Sequence, residues 1–284
     1  MWREGVFQGG NTMTHEFSYH APQSLNEALG LLAEFGKDAE VLSGGTDLLV
    51  GIRGGLSRPL HVVDIKRIDE LNTLSYDKNE GLFIGATVTV NEMLDYAPVA
   101  ESFSILKHAG DELATHQLRN RATPVGNIVT ASPCGDMSSP LLSLDCEVDI
   151  VSKEGARRVP LGDFITGVKR TALNPNEVVR GLQIPTTWAG AKSGYKKLKR
   201  IKGHDLGVVS VTMLRKSTAT RVAVSAAAPT PILLPDFASN ASVQEVQEIA
   251  AGAISPIDDV RCTKEYRSFM VGVFIERLMN EVAA

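Results

Sequence analysis

Between Leu118 and Asp145 the chain reads LRNRATPVGNIVTASPCGDMSSPLLSLD, and few folds can accommodate such a stretch. Two arginines and a Thr123-Pro124-Val125-Gly126-Asn127 turn lead through a run of small residues to Asp136, then to an apolar, helix-like segment. Small and hydroxylated residues at this density let backbone, not side chain, approach something: a phosphate, a flat ring or another piece of backbone. Gly126 lets the chain turn toward a ligand, and Thr123, Asn127 and Thr130 offer short hydrogen-bonding side chains. Asp136 suits a sugar hydroxyl as well as it suits the cap of a helix starting near Ser138-Ser139. Arg119 and Arg121 either pair with phosphate or line a solvated surface.

A second loop of this kind lies upstream, Ser43-Gly44-Gly45-Thr46-Asp47. Val41-Leu42 reads as a short buried strand entering it, and Leu48-Leu49-Val50 as an apolar segment with helical potential leaving it. Strand, glycine turn and helix start present main-chain N–H groups to an anion. An isolated Gly-Gly turn has a plainer reading as a tight turn. Taken with the downstream stretch, it predicts two distant turns that converge on one large ligand.

The remaining chain supplies a scaffold. Ser24 and Glu27 form a capping box ahead of helically spaced Leu25, Ala28, Leu29, Leu32 and Phe35, with Gly36 as the stop. Leu60–Ile65 reads as a strand closing a small βαβ unit, and Leu82–Val88 as another strand. Thr89 and Glu92 repeat the capping box, Pro98 opens a predicted helix across Val99–Ala114, and Glu147–Val151 is strand-like. Asn174-Pro175-Asn176 interrupts the pattern, so a boundary is placed there. Beyond it Glu177–Ile184, Ser193–Leu198, Gly207–Leu214 and Arg221–Ala226 alternate like one antiparallel sheet. Helices over Ala241–Ala251 and Thr263–Asn280 follow, which makes the second half a compact α+β unit.

Composition limits the function. A net charge of −4 with mixed signs argues against nucleic acid or an anionic membrane as the main partner. No apolar run approaches the roughly 20 residues needed to span a bilayer, and no signal-peptide core is present, so the cytoplasm is the expected compartment. Three cysteines, Cys134, Cys146 and Cys262, stand far apart. They are too few for a four-cysteine cluster, so no metal site is expected on this chain. Cys134 reads as a small packing residue.

SGGTDLLVGIRGG and RNRATPVGNIVTASPCGDMSSPLLSLD resemble the two FAD-binding motifs of the flavin-binding medium subunit of molybdenum hydroxylases, the xanthine dehydrogenase and carbon monoxide dehydrogenase family. The likeness runs from Phe17-Ser18-Tyr19-His20-Ala21-Pro22 to the Asp258–Arg267 stretch DDVRCTKEYR. It implies an α+β fold: a two-subdomain FAD-binding domain of the vanillyl-alcohol-oxidase (PCMH) type over 14–175, split near 66–72, then a smaller C-terminal α+β domain over 176–284. Residues 1–13 are expected to be a flexible extension. Carried over, the motifs imply that Leu42, Ser43, Gly44, Gly45, Thr46, Asp47 and Leu48 wrap the pyrophosphate. Thr123, Gly126, Asn127 and Thr130 would meet the diphosphate and flavin side. Asp136 would hold a hydroxyl, Val179 would offer a backbone contact at the adenine end, and Lys197 would approach the isoalloxazine.

The sequence departs from the family pattern at Pro124-Val125, where an aliphatic residue and a glycine are usual. Proline lacks an N–H and valine resists positive φ, so altered geometry or weaker FAD binding is expected. The resemblance further implies a large molybdenum (molybdopterin) subunit and a small 2Fe-2S subunit as partners, assembled as a dimer of heterotrimers. Electrons would reach FAD here and leave to NAD⁺, a quinone or O₂, with no side chain acting as acid, base or nucleophile. The alternatives are a stand-alone flavin reductase of the same fold and a non-catalytic nucleotide-binding or assembly protein.

Overall fold

The computed structural model describes residues 15–283, so the extension expected over 1–13 lies outside the described residues. Helix α1 (Leu25–Phe35) begins at its capping residue: Ser24 is extended, its hydroxyl accepts from Glu27 N, and Gly36 stops the helix at φ 53°. Strand β1 (Ser18–His20), β2 (Ala39–Leu42) and β3 (His61–Asp64) form a parallel sheet in the order β1-β3-β2. Helix α2 (Leu48–Arg53) lies in the β2–β3 crossover, so the expected βαβ unit is present.

Strands β4 (Leu74–Asp77) and β5 (Gly81–Gly85) then open a second sheet. A helical excursion follows: α3 (Val90–Asp95), α4 (Ala97–Ser102), α5 (Ser104–Asp111), α6 (His116–Arg119), α7 (Pro124–Val129) and α8 (Ser138–Ser143). Thr89 and Glu92 close a full capping box on α3. The single helix expected over Val99–Ala114 is instead broken at Phe103, which sits at φ −132°, ψ 45°. There its ring is buried and meets Tyr76 edge-on, with centroids 5.7 Å apart. Strands β6 (Glu147–Ser152) and β7 (Gly155–Pro160), helix α9 (Leu161–Phe164), the small hairpin β8 (Ile165–Gly167) and β9 (Arg170–Thr171), and strand β10 (Val178–Ile184) complete this unit.

The second sheet is antiparallel in the order β4-β5-β10-β6-β7, and this corrects the sequence reading. Val178–Ile184 was expected in the C-terminal sheet; it is the central strand here, paired to Leu82–Gly85 on one side and Glu147–Val151 on the other. Alternation records which faces a strand buries and says nothing of which strand lies beside it. The chain therefore leaves this sheet after Ile184, beyond the break at 174–176.

Strands β11 (Lys192–Leu198), β12 (Val209–Arg215), β13 (Ala219–Ser225) and β14 (Ile232–Leu233) form the third sheet in that order, and β15 (Phe237–Ala238) pairs with β13. Helix α11 (Lys264–Ala283) covers one face, and α10 (Val243–Ala253) packs against α11. Val209, Val211, Met213, Val222 and Val224 pack there against Val271, Phe274, Ile275 and Leu278. The alternate positions of β12 point the other way, and Thr212 Oγ1 donates to Ser139 Oγ of α8 at 3.0 Å. The C-terminal unit thus rests on the excursion that carries the small-residue stretch. Among the described residues no helix is long and apolar enough to cross a membrane.

Candidate functional site: a cleft between two glycine loops

The two loops meet. Gly44 lies flat on the backbone of Arg121 and Ala122: a Cβ there would stand 2.1 Å from the Arg121 carbonyl oxygen and 3.2 Å from the Ala122 Cα. Only glycine permits that approach. Across the same seam Thr130 Oγ1 donates to Asp47 Oδ2 at 3.4 Å. Ser43 Oγ donates to the Ala86 carbonyl at 2.8 Å, and Ala86 N donates to the Arg180 carbonyl at 3.0 Å. That last bond reaches β10 at its irregularity between Val179 and Gly181; Val179 itself is buried and pairs with Ile150 of β6.

Within the first loop, Leu42 is buried at the end of β2 and Gly45 takes φ 75°. Leu49 N donates to Gly45 O at 3.1 Å, which folds Thr46, Asp47 and Leu48 into the turn that opens α2. In the second loop the structure replaces the expected turn by a short helix. Thr123 is the N-cap of α7, its hydroxyl accepting from Gly126 N at 2.9 Å. Pro124 occupies the first helical position, where an N–H has no acceptor in the helix in any case. Val125 is helical and buried, and it is absent from the residues at positive φ. Val125 therefore needs no positive φ here, while Pro124 still leaves the first turn of α7 one N–H short.

Asn127 Oδ1 accepts from Met137 N at 3.1 Å, tying α7 to the loop before α8. A Cβ on Gly135 would stand 2.8 Å from Ser138 Oγ and 3.1 Å from Asn127 Oδ1. The Ser138 hydroxyl is buried without a protein partner. A buried orphan hydroxyl beside a glycine cradle fits a ligand rich in phosphate and hydroxyl oxygens.

The charged residues assigned to the site pair differently from their reading in the sequence. Asp136 and Lys197, assigned to different parts of one ligand, are paired: Lys197 Nζ stands 2.8 Å from Asp136 Oδ1 and also donates to the Glu112 carbonyl at 3.1 Å. The Lys197 side chain is 1% exposed and that of Asp136 is 11% exposed. Burial pushes the Asp136 carboxyl above its ordinary pKa, against the pull of Lys197 and of the Tyr195 hydroxyl, which donates to it at 3.3 Å. Burial, and then the Asp136 charge, pushes Tyr195 well up in turn. Arg119 is tied into the protein, its Nε donating to Asn91 Oδ1 and its Nη1 to the carbonyls of Asp111 and Leu113, whereas Arg121 is exposed beside the contact with Gly44.

Several supporting residues escape sequence reading. Arg261 Nη1 donates to Cys134 Sγ at 3.0 Å, and Ala226 N donates to the Pro133 carbonyl at 2.8 Å, so the C-terminal unit grips the Ser132–Asp136 loop. Asp259 in turn holds Arg261 and Arg267, each at 2.6 Å. The Asp258–Arg267 stretch stands out in the sequence without disclosing that task. Lys169, in the β8–β9 hairpin, reaches Asp47 at 3.3 Å and had no sequence signal beyond its charge.

Residues 15–187 match the family described as the FAD binding domain in molybdopterin dehydrogenase. The carbon monoxide dehydrogenase medium chain of Hydrogenophaga pseudoflava is 30% identical over 276 residues, covering 93% of this chain and 96% of that one. The xanthine dehydrogenase FAD-binding subunit of Escherichia coli O157:H7 is 27% identical over 281 residues, covering 94% and 96%. Among solved structures, carbon monoxide dehydrogenase from H. pseudoflava superposes with a TM-score of 0.87 at 30% identity, covering 94% of this chain and 97% of that chain.

Proposed function

This chain belongs to the FAD-binding family of molybdopterin dehydrogenases, and from that premise we propose that it passes electrons through FAD from iron–sulfur clusters on a partner chain to an external acceptor. It is an oxidoreductase component, an FAD-binding subunit of the molybdenum hydroxylase type. The contact of Gly44 with the Arg121–Ala122 backbone is the observation that carries the reading, because it makes one cleft of two loops far apart in sequence.

In this reading main-chain amides from Leu42 to Leu48, with Ser43, Gly44, Gly45, Thr46 and Asp47 between, wrap the pyrophosphate. Thr123, Gly126, Asn127 and Thr130 face the diphosphate and the flavin side. The Thr123 hydroxyl already accepts from Gly126 N and keeps its own proton for a phosphate oxygen. Asp136 receives a hydroxyl of the ribityl–adenosine part, and Lys197 fixes its charge and orientation from beneath. Val179 offers backbone to the adenine end. FAD, when bound, supplies the redox chemistry; the protein binds, orients and shields it. No side chain of this chain serves as acid, base or nucleophile.

The proposed partners are a large molybdenum-binding subunit and a small 2Fe-2S subunit, assembled as a dimer of heterotrimers in the cytoplasm, with NAD⁺, a quinone or O₂ as acceptor. The test is spectroscopic. The purified chain should take up one equivalent of FAD and show a flavin absorption spectrum, without turning over NADH or an oxidisable substrate by itself. Co-expressed with its partners, the bound flavin should bleach on addition of the complex's substrate. Failure to take up FAD sinks the reading, and a flavin that turns over alone would make the chain a stand-alone reductase.

A further inference from the structure

The β8–β9 hairpin belongs to neither glycine loop, yet it joins them. Lys169 N donates to the Ala131 carbonyl at 2.8 Å. Both residues are left-handed, Lys169 at φ 56° and Ala131 at φ 47°, a conformation that the Cβ disfavours sterically in any non-glycine residue. From this position Lys169 Nζ reaches Asp47 Oδ2 of the first loop at 3.3 Å, and Thr130 Oγ1 of the second loop donates to the same oxygen. The Lys169 side chain is 53% exposed and that of Asp47 is 65% exposed. An ion pair so open contributes little to stability and does not by itself account for two strained residues facing each other.

The charges around the cleft give the pair another task. An anion held by the first loop is repelled by the Asp47 carboxylate beside it. Lys197 is bound to Asp136, Arg119 to Asn91 and two carbonyls, and Arg261 to Asp259 and Cys134. Arg121 is exposed in the second loop where Gly44 meets its carbonyl, and Lys169 is held by an exposed carboxylate where both loops and the hairpin meet. Of these two cations, Lys169 is the one already drawn across the seam to the first loop. Resting on the FAD reading above, we propose that Lys169 is a further cofactor-binding residue. Its ammonium offsets the Asp47 carboxylate that would repel an anion there, and donates its remaining N–H groups to the diphosphate at the lip of the two loops. The left-handed backbone at Lys169 aims the side chain across the seam and not outward.

The experiment compares the full-length wild type with Lys169→Met and Lys169→Arg, titrating FAD by flavin fluorescence at several salt concentrations. Loss of one charge-assisted contact should weaken FAD binding about tenfold in the methionine variant. Its affinity should also vary less steeply with salt, while the arginine variant keeps both wild-type properties. Without FAD, the melting temperatures of all three proteins should coincide. Equal FAD affinity in Lys169→Met and wild type overturns the proposal, as does a Lys169→Met protein whose melting temperature without FAD falls, because that is a structural role. If the wild type itself binds no FAD, the underlying reading falls first and this inference with it.

Discussion

Gly44 and Asp136 shape the cleft in opposite ways, one by lacking a side chain and the other by burying a charge. In Gly44→Ala the added methyl would sit 2.1 Å from the Arg121 carbonyl oxygen, so the loops must part. Stability should drop by about 1–3 kcal/mol, and the flavin-to-protein absorbance ratio of the purified variant should fall well below that of wild type. An unchanged ratio would mean that the convergence of the loops has no bearing on the ligand. At the buried pair, Lys197→Met leaves the Asp136 carboxylate without its counter-ion, which should cost about 3–5 kcal/mol at neutral pH. The pH dependence fixes the cause. Burial already raises the folded pKa of Asp136, and removing Lys197 raises it further above the unfolded value of about 3.9. The penalty for the buried carboxylate is present above the folded pKa and is relieved as pH falls through it. The deficit of the variant relative to wild type, read from urea midpoints, should therefore shrink on acidification. A deficit that stays constant with pH would point to lost packing. Gly44 was legible in the sequence because a glycine's demand is written in its own backbone. The Lys197–Asp136 pair was not, since the partners stand 61 residues apart and each looks solvated in its local context.

The same division between local and distant causes holds for the elements. Ser24 with Glu27, Thr89 with Glu92, and Ser242, whose hydroxyl accepts from Glu245 N, marked helix starts correctly because a cap and its partner lie within one turn. The break at Phe103 and the sheet that Val178–Ile184 joins depend on Tyr76, β5 and β6, which local pattern does not name. At Pro124-Val125 the sequence suggested a strained turn, whereas the structure shows the first turn of α7. The two readings predict opposite outcomes for Val125→Gly. Were a positive φ needed, glycine would relieve strain and tighten FAD binding. In a helix with Val125 buried, glycine loses both propensity and apolar burial, together about 2–4 kcal/mol. Chemical denaturation and FAD titration of this one variant should show lower stability with no gain in affinity; a more stable variant would restore the turn.

Across the whole molecule, the C-terminal unit holds the second loop from outside, through a contact network that reaches it from as far as 127 residues downstream. Ala226 N holds the Pro133 carbonyl, Arg261 meets Cys134, and buried Arg267 donates to the carbonyls of Val208 and Ala226. Asp259 is the hub of this network. Burial works to raise its pKa, but hydrogen bonds from the Arg261 side chain and backbone, and then from Arg267, hold the carboxyl well below its ordinary value. A depressed folded pKa contributes stability that is fully present above the unfolded pKa, about 3.9, and is lost as pH falls through it toward the folded value. Wild type should therefore be more stable than Asp259→Asn at neutral pH, and the difference should close below about pH 4. Because Arg261 and Arg267 lead straight to Pro133 and Cys134, the same variant should also release FAD more readily at neutral pH, although Asp259 lies outside both glycine loops. Thermal melts across pH test the first consequence and FAD titration at pH 7 the second. Matching melts with unchanged FAD affinity would show that the C-terminal unit merely rests against the cleft, whereas loss of both would show that the cleft exists only while this unit clamps it.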